Sequence, residues 1–360
     1  MRRIVTLLSH TAVTMLLTAT VFLTACNVHE WPEQSTEEAL ELLLEFETAM
    51  PQFEHYIDTR TGATIETKDV RDHGTMRYIV RAYPVNNDRV SSDYVHEQVF
   101  TRDVSPAGYD CTVSMSLSPG SYRLMVWAEL SEMNSFPVFY DATDFGDITM
   151  PGEHRANTDY RDAFRGTLDV TLESSITEHA PVSGVVTMQR PLAKFEFITN
   201  DLVEFIEKET SRVRAKGDAK SGDDIESESS DAGASRMSLD DYRVVFYYVG
   251  FMPSEYSMYT DKPVDSKTGV FFQSTLRQLS DDEASLGFDY VFVNGTETAV
   301  AVRIAVIADD GTEVSLTDAI DVPLRRSHHT IVRGSFLLTS ASGGVGIDPG
   351  FEGDHNVILP

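Results

Sequence analysis

Between Cys111 and Leu130 apolar residues recur at every second position, interrupted once by Ser118-Pro119-Gly120-Ser121. Cys111, Val113, Met115 and Leu117 share one face of the first run, and Tyr122, Leu124, Val126, Ala128 and Leu130 share one face of the second. A period of two is that of a strand with one face in a core; it does not suit an amphipathic helix. Pro119 fits position i+1 of a type II turn and Gly120 supplies the positive φ at i+2, so the pair is expected to form a β-hairpin.

The same logic extends along the chain. Leu42–Glu47 and Met76–Val85 read as early strands, and Phe164, Gly166, Leu168, Val170 and Leu172 alternate cleanly. Ala193, Phe195, Phe197 and Thr199 line one face of a strand near the midpoint. Tyr242–Gly250 is apolar on both faces apart from Arg243, which predicts a central strand. Asn294-Gly295 joins Phe288–Val293 to Thr296–Ile307, a strong short-range signal for a type I′ hairpin. Asp310-Gly311 marks another tight turn, and Ile331–Leu338 closes the set.

One helix is predicted. It starts at Asn200 or Asp201 as N-cap and runs to about Arg214, with Leu202, Phe205, Ile206 and Val213 near one face. Residues 215–236 are rich in Ser, Asp, Glu and Gly and offer nothing apolar to bury, so they are expected to be a disordered acidic loop. Many short strands and a single helix predict an all-β chain built as two β-sandwiches, 39–188 and 189–340, with a tail at 341–360. The boundary falls around Gln189-Arg190-Pro191.

The amino terminus carries a location signal. Met1-Arg2-Arg3 precedes an apolar run that closes on Leu23-Thr24-Ala25-Cys26. This is the layout of a bacterial lipoprotein signal, with residues 1–25 removed, a diacylglycerol on Cys26 and a tether at 26–38. An uncleaved transmembrane helix is an alternative, since Ile4–Ala25 is long enough to span a bilayer, and a plain secretory signal is another. Removing residues 1–25 takes away Arg2 and Arg3 and leaves 27 bases against 57 acids, a net charge of −30. So acidic a body argues against nucleic acid as a partner and against lying flat on anionic lipid. With a lipid on Cys26, Cys111 has no disulfide partner in the chain, and the alternation around it points its thiol at a sheet core.

Catalytic signatures are missing from the sequence. There is no P-loop, no dinucleotide fingerprint, no Gly-x-Ser-x-Gly and no His-Glu-x-x-His. His328 and His329 are adjacent, and neighbours on a strand point to opposite faces, which disfavours joint chelation. Asp141, Asp144 and Asp147 lie three apart, an oxygen-rich loop without the spacing of an EF-hand. The expectation is a protein that is not an enzyme and uses no cofactor or metal.

Three segments carry a family resemblance. Leu117-Ser-Pro-Gly-Ser-Tyr-Arg-Leu-Met-Val-Trp-Ala128 resembles the PG-x-Y-x-L-x-V-W-A segment of fimbrillin-like lipoproteins, a family that includes anchor subunits of type V pili. Arg190-Pro-Leu-Ala-Lys-Phe-Glu-Phe197 is similar to the strand that opens their second domain, and Pro323–Gly334 to their closing strand. The resemblance implies two tandem transthyretin-like β-sandwich domains. It implies a structural, anchoring or accessory pilus subunit, lipid-anchored in the outer membrane at the cell surface. It also implies other fimbrillin-like subunits as partners, joined by strand addition, with trimming by an Arg-specific protease. Arg60 and Arg71, in the polar stretch Asp58–Gly74, are the candidate cleavage sites. Asn356, Val357, Ile358 and Leu359 would form either a donor strand or a strand folded back on its own domain. The alternative function is a surface module that binds a glycan or protein ligand on a host or bacterial surface without polymerising. Tyr256 and Tyr259 would then be exposed aromatics rather than core cover.

Overall fold

The structure is a computed structural model that describes residues 38–46, 56–57, 64–65, 74–104, 110–132, 139–173, 182–220, 237–338 and 355–358. Seven strands make a first unit: β1 (Glu38–Phe46), β2 (Gly74–Asn86), β3 (His96–Asp103), β4 (Cys111–Leu117), β5 (Gly120–Glu132), β6 (Ala163–Leu172) and β7 (Val182–Met188). One sheet has the order β7-β1-β4, and the facing sheet has the order β6-β5-β2-β3. Seven more make a second unit: β8 (Leu192–Thr199), β9 (Tyr242–Tyr248), β10 (Phe271–Thr275), β11 (Ala284–Phe292), β12 (Glu297–Ala308), β13 (Ile320–Arg325) and β14 (His329–Gly334), with helix α1 (Leu202–Lys220) between β8 and β9. Its principal orders are β14-β8-β11 and β13-β12-β9-β10. The same topology is therefore used twice, each strand matching the one seven places on. This includes a parallel pair at the matching place in each unit, β1 with β7 and β8 with β14. The result is an all-β, sandwich-like fold with one helix.

Alternation decides which side chains enter each core. Leu40, Leu42 and Leu44 of β1 meet Val113, Met115 and Leu117 of β4 and Leu124 and Val126 of β5, all buried. In the second unit Phe195 and Phe197 of β8 face Val244 and Phe246 of β9. Burying one such side chain contributes roughly 1.5–3 kcal/mol, so each unit has a full core of its own. A third cluster joins the two units. The opposite face of β5 sends Met125 and Trp127 against Tyr140 and Phe145 of the segment before β6, and against Tyr256 and Phe292 of the second unit. Trp127 meets Tyr140 edge-on at 5.5 Å, and Tyr256 stacks on Phe292 at 5.2 Å.

Both hairpins expected at Pro119-Gly120 and Asn294-Gly295 are corners instead. β4 bonds to β1 while β5 bonds to β2 and β6, so the chain crosses from one sheet to the other at Ser118-Pro119. Gly120 has φ +157°, close to extended and far from the value of a type II turn, and it already belongs to β5. The Tyr122 hydroxyl braces the corner by donating to the Ser118 carbonyl at 2.8 Å. At the second site β11 bonds to β8 and β12 to β9, and of Asn294-Gly295 only Gly295 has positive φ (+80°), whereas a type I′ turn needs both. The physical reason is shared. Each pair of strands buries its apolar face in the same core from opposite layers, and a turn dipeptide reverses the chain without choosing between one sheet and two.

Other local signals hold. Gly311, at φ +82°, donates to Ala308 and returns β12 into the strand Glu313–Leu316. β9 is central between β10 and β12. Asn87 and Asp88, at φ +50° and +61°, make an unforeseen tight turn from β2 into Arg89–Val90. α1 begins after Asp201 but continues to Lys220, so residues 215–220 are helical rather than part of a disordered loop. Lack of apolar residues removes a reason to be buried, not helix propensity, and Ala215, Lys216, Ala219 and Lys220 are good helix formers. Residues 221–236 lie outside the described residues.

Candidate functional site

A sandwich has two open sides, where the edge strands of its facing sheets meet. In this chain the four sides differ in how they are covered. On the β6/β7 side of the first unit two glycines allow close contact. A Cβ on Gly166 would lie 2.6 Å from Val186 and one on Gly184 would lie 2.7 Å from Leu168. Just past β7, Gln189 and Arg165 exchange both backbone hydrogen bonds, at 2.8 and 2.9 Å. On the equivalent β13/β14 side of the second unit, the edge of β14 carries an added strand, β15 (His355–Ile358). β15 runs parallel to β14, with Ile331 opposite Asn356, Val332 opposite Val357 and Arg333 opposite Ile358. Three of the four candidate donor residues therefore sit on the chain's own second unit in this structure. Leu359, Cys26, Arg60 and Arg71 lie outside the described residues.

The remaining two sides differ more. Between β10 and β11 the segment before β6 runs along the edge. Asn157 donates its backbone N–H to the Phe288 carbonyl at 3.0 Å, accepts from the Phe288 N–H at 2.7 Å, and reaches the Gln273 carbonyl at 3.3 Å. Between β3 and β4 of the first unit, among the described residues, no strand bonds to the outer edge of either. Val99 of β3 is 52% exposed there, and Tyr94 and Val95 just before it are also exposed. An edge of this kind presents unpaired backbone donors and acceptors to another chain.

The junction between the units is fixed by buried charge. Asp289 of β11 is fully buried and pairs with Nε2 of His154 at 2.6 Å and with the Arg161 guanidinium at 3.3 Å, and it accepts from the Tyr248 hydroxyl at 2.7 Å. Burial opposes ionisation of Asp289, but Arg161 and His154 outweigh it and hold the carboxyl below its ordinary range. Burial and the neighbouring Asp289 push the Tyr248 hydroxyl well up. Arg190, in the linker between the units, grips Asp162 at 2.8 and 2.9 Å and lies over the Phe164 ring. Asp261 binds both Arg165 and Arg326 and accepts from the Tyr256 hydroxyl. A cluster of Asp, His, Arg and Tyr resembles a proton relay in composition. Here the members pair with one another and tie the segment before β6 to the second unit. His154 and Asp289 are 135 residues apart, so no local pattern announced them.

Other residues singled out from the sequence separate in space. Tyr256 is fully buried, which removes it as an exposed aromatic, and Tyr259 is 38% exposed and packs edge-on against Tyr83 at 5.6 Å. Nδ1 of His328 meets the Arg326 carbonyl at 2.7 Å, while His329 faces Glu196 at 3.5 Å. Asp141 and Asp144 each accept from the backbone two residues on, at Thr143 and Gly146, and so serve as turn carboxylates. Among the described residues no group of three His, Cys, Asp or Glu is placed to hold a metal. Cys111 is half-buried at the edge of the first core, and burial pushes its thiol up.

A family model described as a family of unknown function (DUF6562) matches residues 35–360. No curated protein matches the sequence. Among solved structures, the fimbrial anchor protein Mfa2 from Porphyromonas gingivalis is 10% identical, with a TM-score of 0.37 over 78% of this chain and 82% of that one. A fimbrial assembly protein from Parabacteroides distasonis is 12% identical, with a TM-score of 0.34 over 84% and 93%. A candidate cell adhesion protein from Bacteroides ovatus is 10% identical, with a TM-score of 0.40 over 81% and 90%. At these values none carries a statement about what this chain does.

Proposed function

Since the chain belongs to the family of unknown function DUF6562, we propose a role for it within that family: a surface-exposed lipoprotein that serves as a structural, anchoring or accessory subunit of a pilus and joins its neighbours by strand addition. The observation that carries this reading is the unequal closing of the four sandwich sides. Three are sealed by the chain itself, and the β3/β4 side has no described strand on it. The same chain ends in a short strand, β15, held in place by one edge. A strand of that kind, offered by another subunit, would add to the β3/β4 side through main-chain hydrogen bonds, with alternate side chains setting specificity.

The lipoprotein signal at Cys26 agrees with this reading, as does the order of the three family-like segments. In an anchoring subunit the lipid on Cys26 stays attached. Cleavage after Arg60 or Arg71 would release the body as a shaft subunit. The proposed role is a non-enzymatic one, and the buried titratable groups at the junction are engaged with one another in holding the units together.

The test is expression of the chain from Cys26 onward, with and without residues 343–360. Ladders that resist denaturant should form with the tail and vanish without it. Thr101→Pro, on the outer edge of β3, should block them in the acceptor while leaving the donor competent. If neither form associates with itself or with co-expressed neighbouring subunits, the proposal is wrong.

A further inference from the structure

The chain carries nearly twice as many acids as bases, 57 against 29, yet one region of its surface reverses that balance. A cleft of about 570 Å³ opens between the segment 150–155 and the second unit, where the hairpin strands Met252–Ser257 and Lys262–Lys267 lead into β10. A second cleft of about 450 Å³ shares Gln273 with it and continues along β10. The first is lined by His154, Arg155, Arg161 and Lys267, the second by Arg243 and Arg277, and Glu153 is the one acid lining either. Arg161 and His154 are engaged with Asp289. Arg155 and Lys267 are exposed on the rim, and the Arg155 guanidinium lies 5.0 Å over the Phe139 ring.

Two further features make this a built site rather than a patch of charge. Ser254 is 1% exposed, lines the first cleft, and its hydroxyl has no hydrogen-bond partner. A buried hydroxyl left unpaired costs free energy that a ligand atom would recover. Phe271, also lining the cleft, is 53% exposed, a large apolar ring with one face in water. The volume is within the range of small-molecule sites, which combine apolar walls with a few placed polar groups.

We propose that this cleft binds an anionic sugar, a pyranose chain bearing carboxylate or sulfate groups. Such a ligand meets all three demands at once. Its acid group faces Arg155 and Lys267, its C–H face lies on Phe271, and its ring hydroxyls reach Ser254. Successive acid groups would continue toward Arg243 in the second cleft. Attraction of a polyanion to this strip is electrostatic and falls with salt. The inference is independent of the pilus reading, since it concerns a monomer and a different face.

The experiment is calorimetric titration of the full mature chain at low salt with four probes. These are an oligogalacturonate, its neutral methyl ester, a sulfated disaccharide and a poly-glutamate peptide. Tighter binding of either anionic sugar than of the neutral ester supports the proposal, and the preferred one identifies the acid group. The Arg155→Glu, Lys267→Glu double variant changes two exposed residues and should weaken binding at least tenfold with unchanged thermal unfolding. Ser254→Ala should weaken it several-fold. No binding of either anionic sugar overturns the proposal. So does affinity that the double variant leaves untouched, or poly-glutamate binding as tightly as the sugars.

Discussion

Asn157 and Phe288 exchange hydrogen bonds as two residues of adjacent strands would, although Asn157 lies outside any strand. Its backbone N–H donates to the Phe288 carbonyl, and its side-chain oxygen replaces the carbonyl that a partner strand would offer to the Phe288 N–H. A segment that leaves the first unit thereby closes an edge of the second. The equivalent edge of the first unit, at β3 and β4, has no such cover among the described residues. The asymmetry between two units of one topology is what the proposed assembly rests on.

Asn157→Ala should loosen this edge. The substitution removes the acceptor for Phe288 and places alanine at φ +54°, a left-handed position that asparagine tolerates better. A loss of about 1–3 kcal/mol is expected in urea unfolding. Faster amide exchange at Phe288 would localise it, and Asn157→Gly, which keeps the backbone freedom, should fall between.

Gly166→Ala should destabilise the first unit. The new methyl would lie 2.6 Å from Val186, 2.7 Å from the sulfur of Met188 and 2.9 Å from the Thr187 carbonyl, so β6 and β7 would have to part. Overpacking of this kind typically costs about 1–3 kcal/mol, readable as a lower midpoint in thermal unfolding. Ala at Gly166 with unchanged stability would show that β6 and β7 are not in close contact.

Glu196 predicts a specific acid sensitivity. It is buried on β8, and burial favours its neutral form, but His329, Lys194 and a 2.6 Å hydrogen bond from Ser285 hold its pKa down to about 2 from an ordinary 4.5. Between those values the unfolded chain takes up a proton that the folded chain refuses. The stabilisation is therefore complete above pH 4.5 and is lost as pH falls toward 2. It amounts to about 3 kcal/mol from the shift alone. Glu196→Gln should flatten the acid limb of a stability-versus-pH curve in that window.

Asp201→Ala should detach the end of the second unit. At the start of α1 the Asp201 carboxylate does not cap its own helix. It accepts from the backbone of Leu337 at 3.2 Å and Leu338 at 3.0 Å, and from the Thr199 hydroxyl. Hydrogen bonds to a charged group contribute about 1.5–3 kcal/mol each, so the variant should unfold several degrees earlier. Amide exchange at Leu337 and Leu338 should rise before that of β8.

Much of the fold was legible because burial leaves its period in the chain. The strand positions from Met76–Val85 to Tyr242–Gly250, the start of α1 and the Asp310-Gly311 turn are local facts, set by which side chains alternate and which backbone angles a residue allows. The end of α1 was not legible, because an exposed helix need not show an apolar stripe. Nor was the second face of β5, since Met125 and Trp127 share that face with Arg123 and Glu129 and reveal their role only against Tyr256 and Phe292.

The sequence by itself determined that this chain would be all-β, with one helix and two stretches able to form cores. A strand's period is a property of its own side chains. Tertiary structure alone decided the pairing. Whether Pro119-Gly120 folds a hairpin or a corner, and which edge Asn157 covers, depends on where the other layer packs. So does the meeting of His154 with Asp289 across 135 residues. Such contacts have no local signature, because the free energy that selects them comes from burying surfaces far apart in the chain.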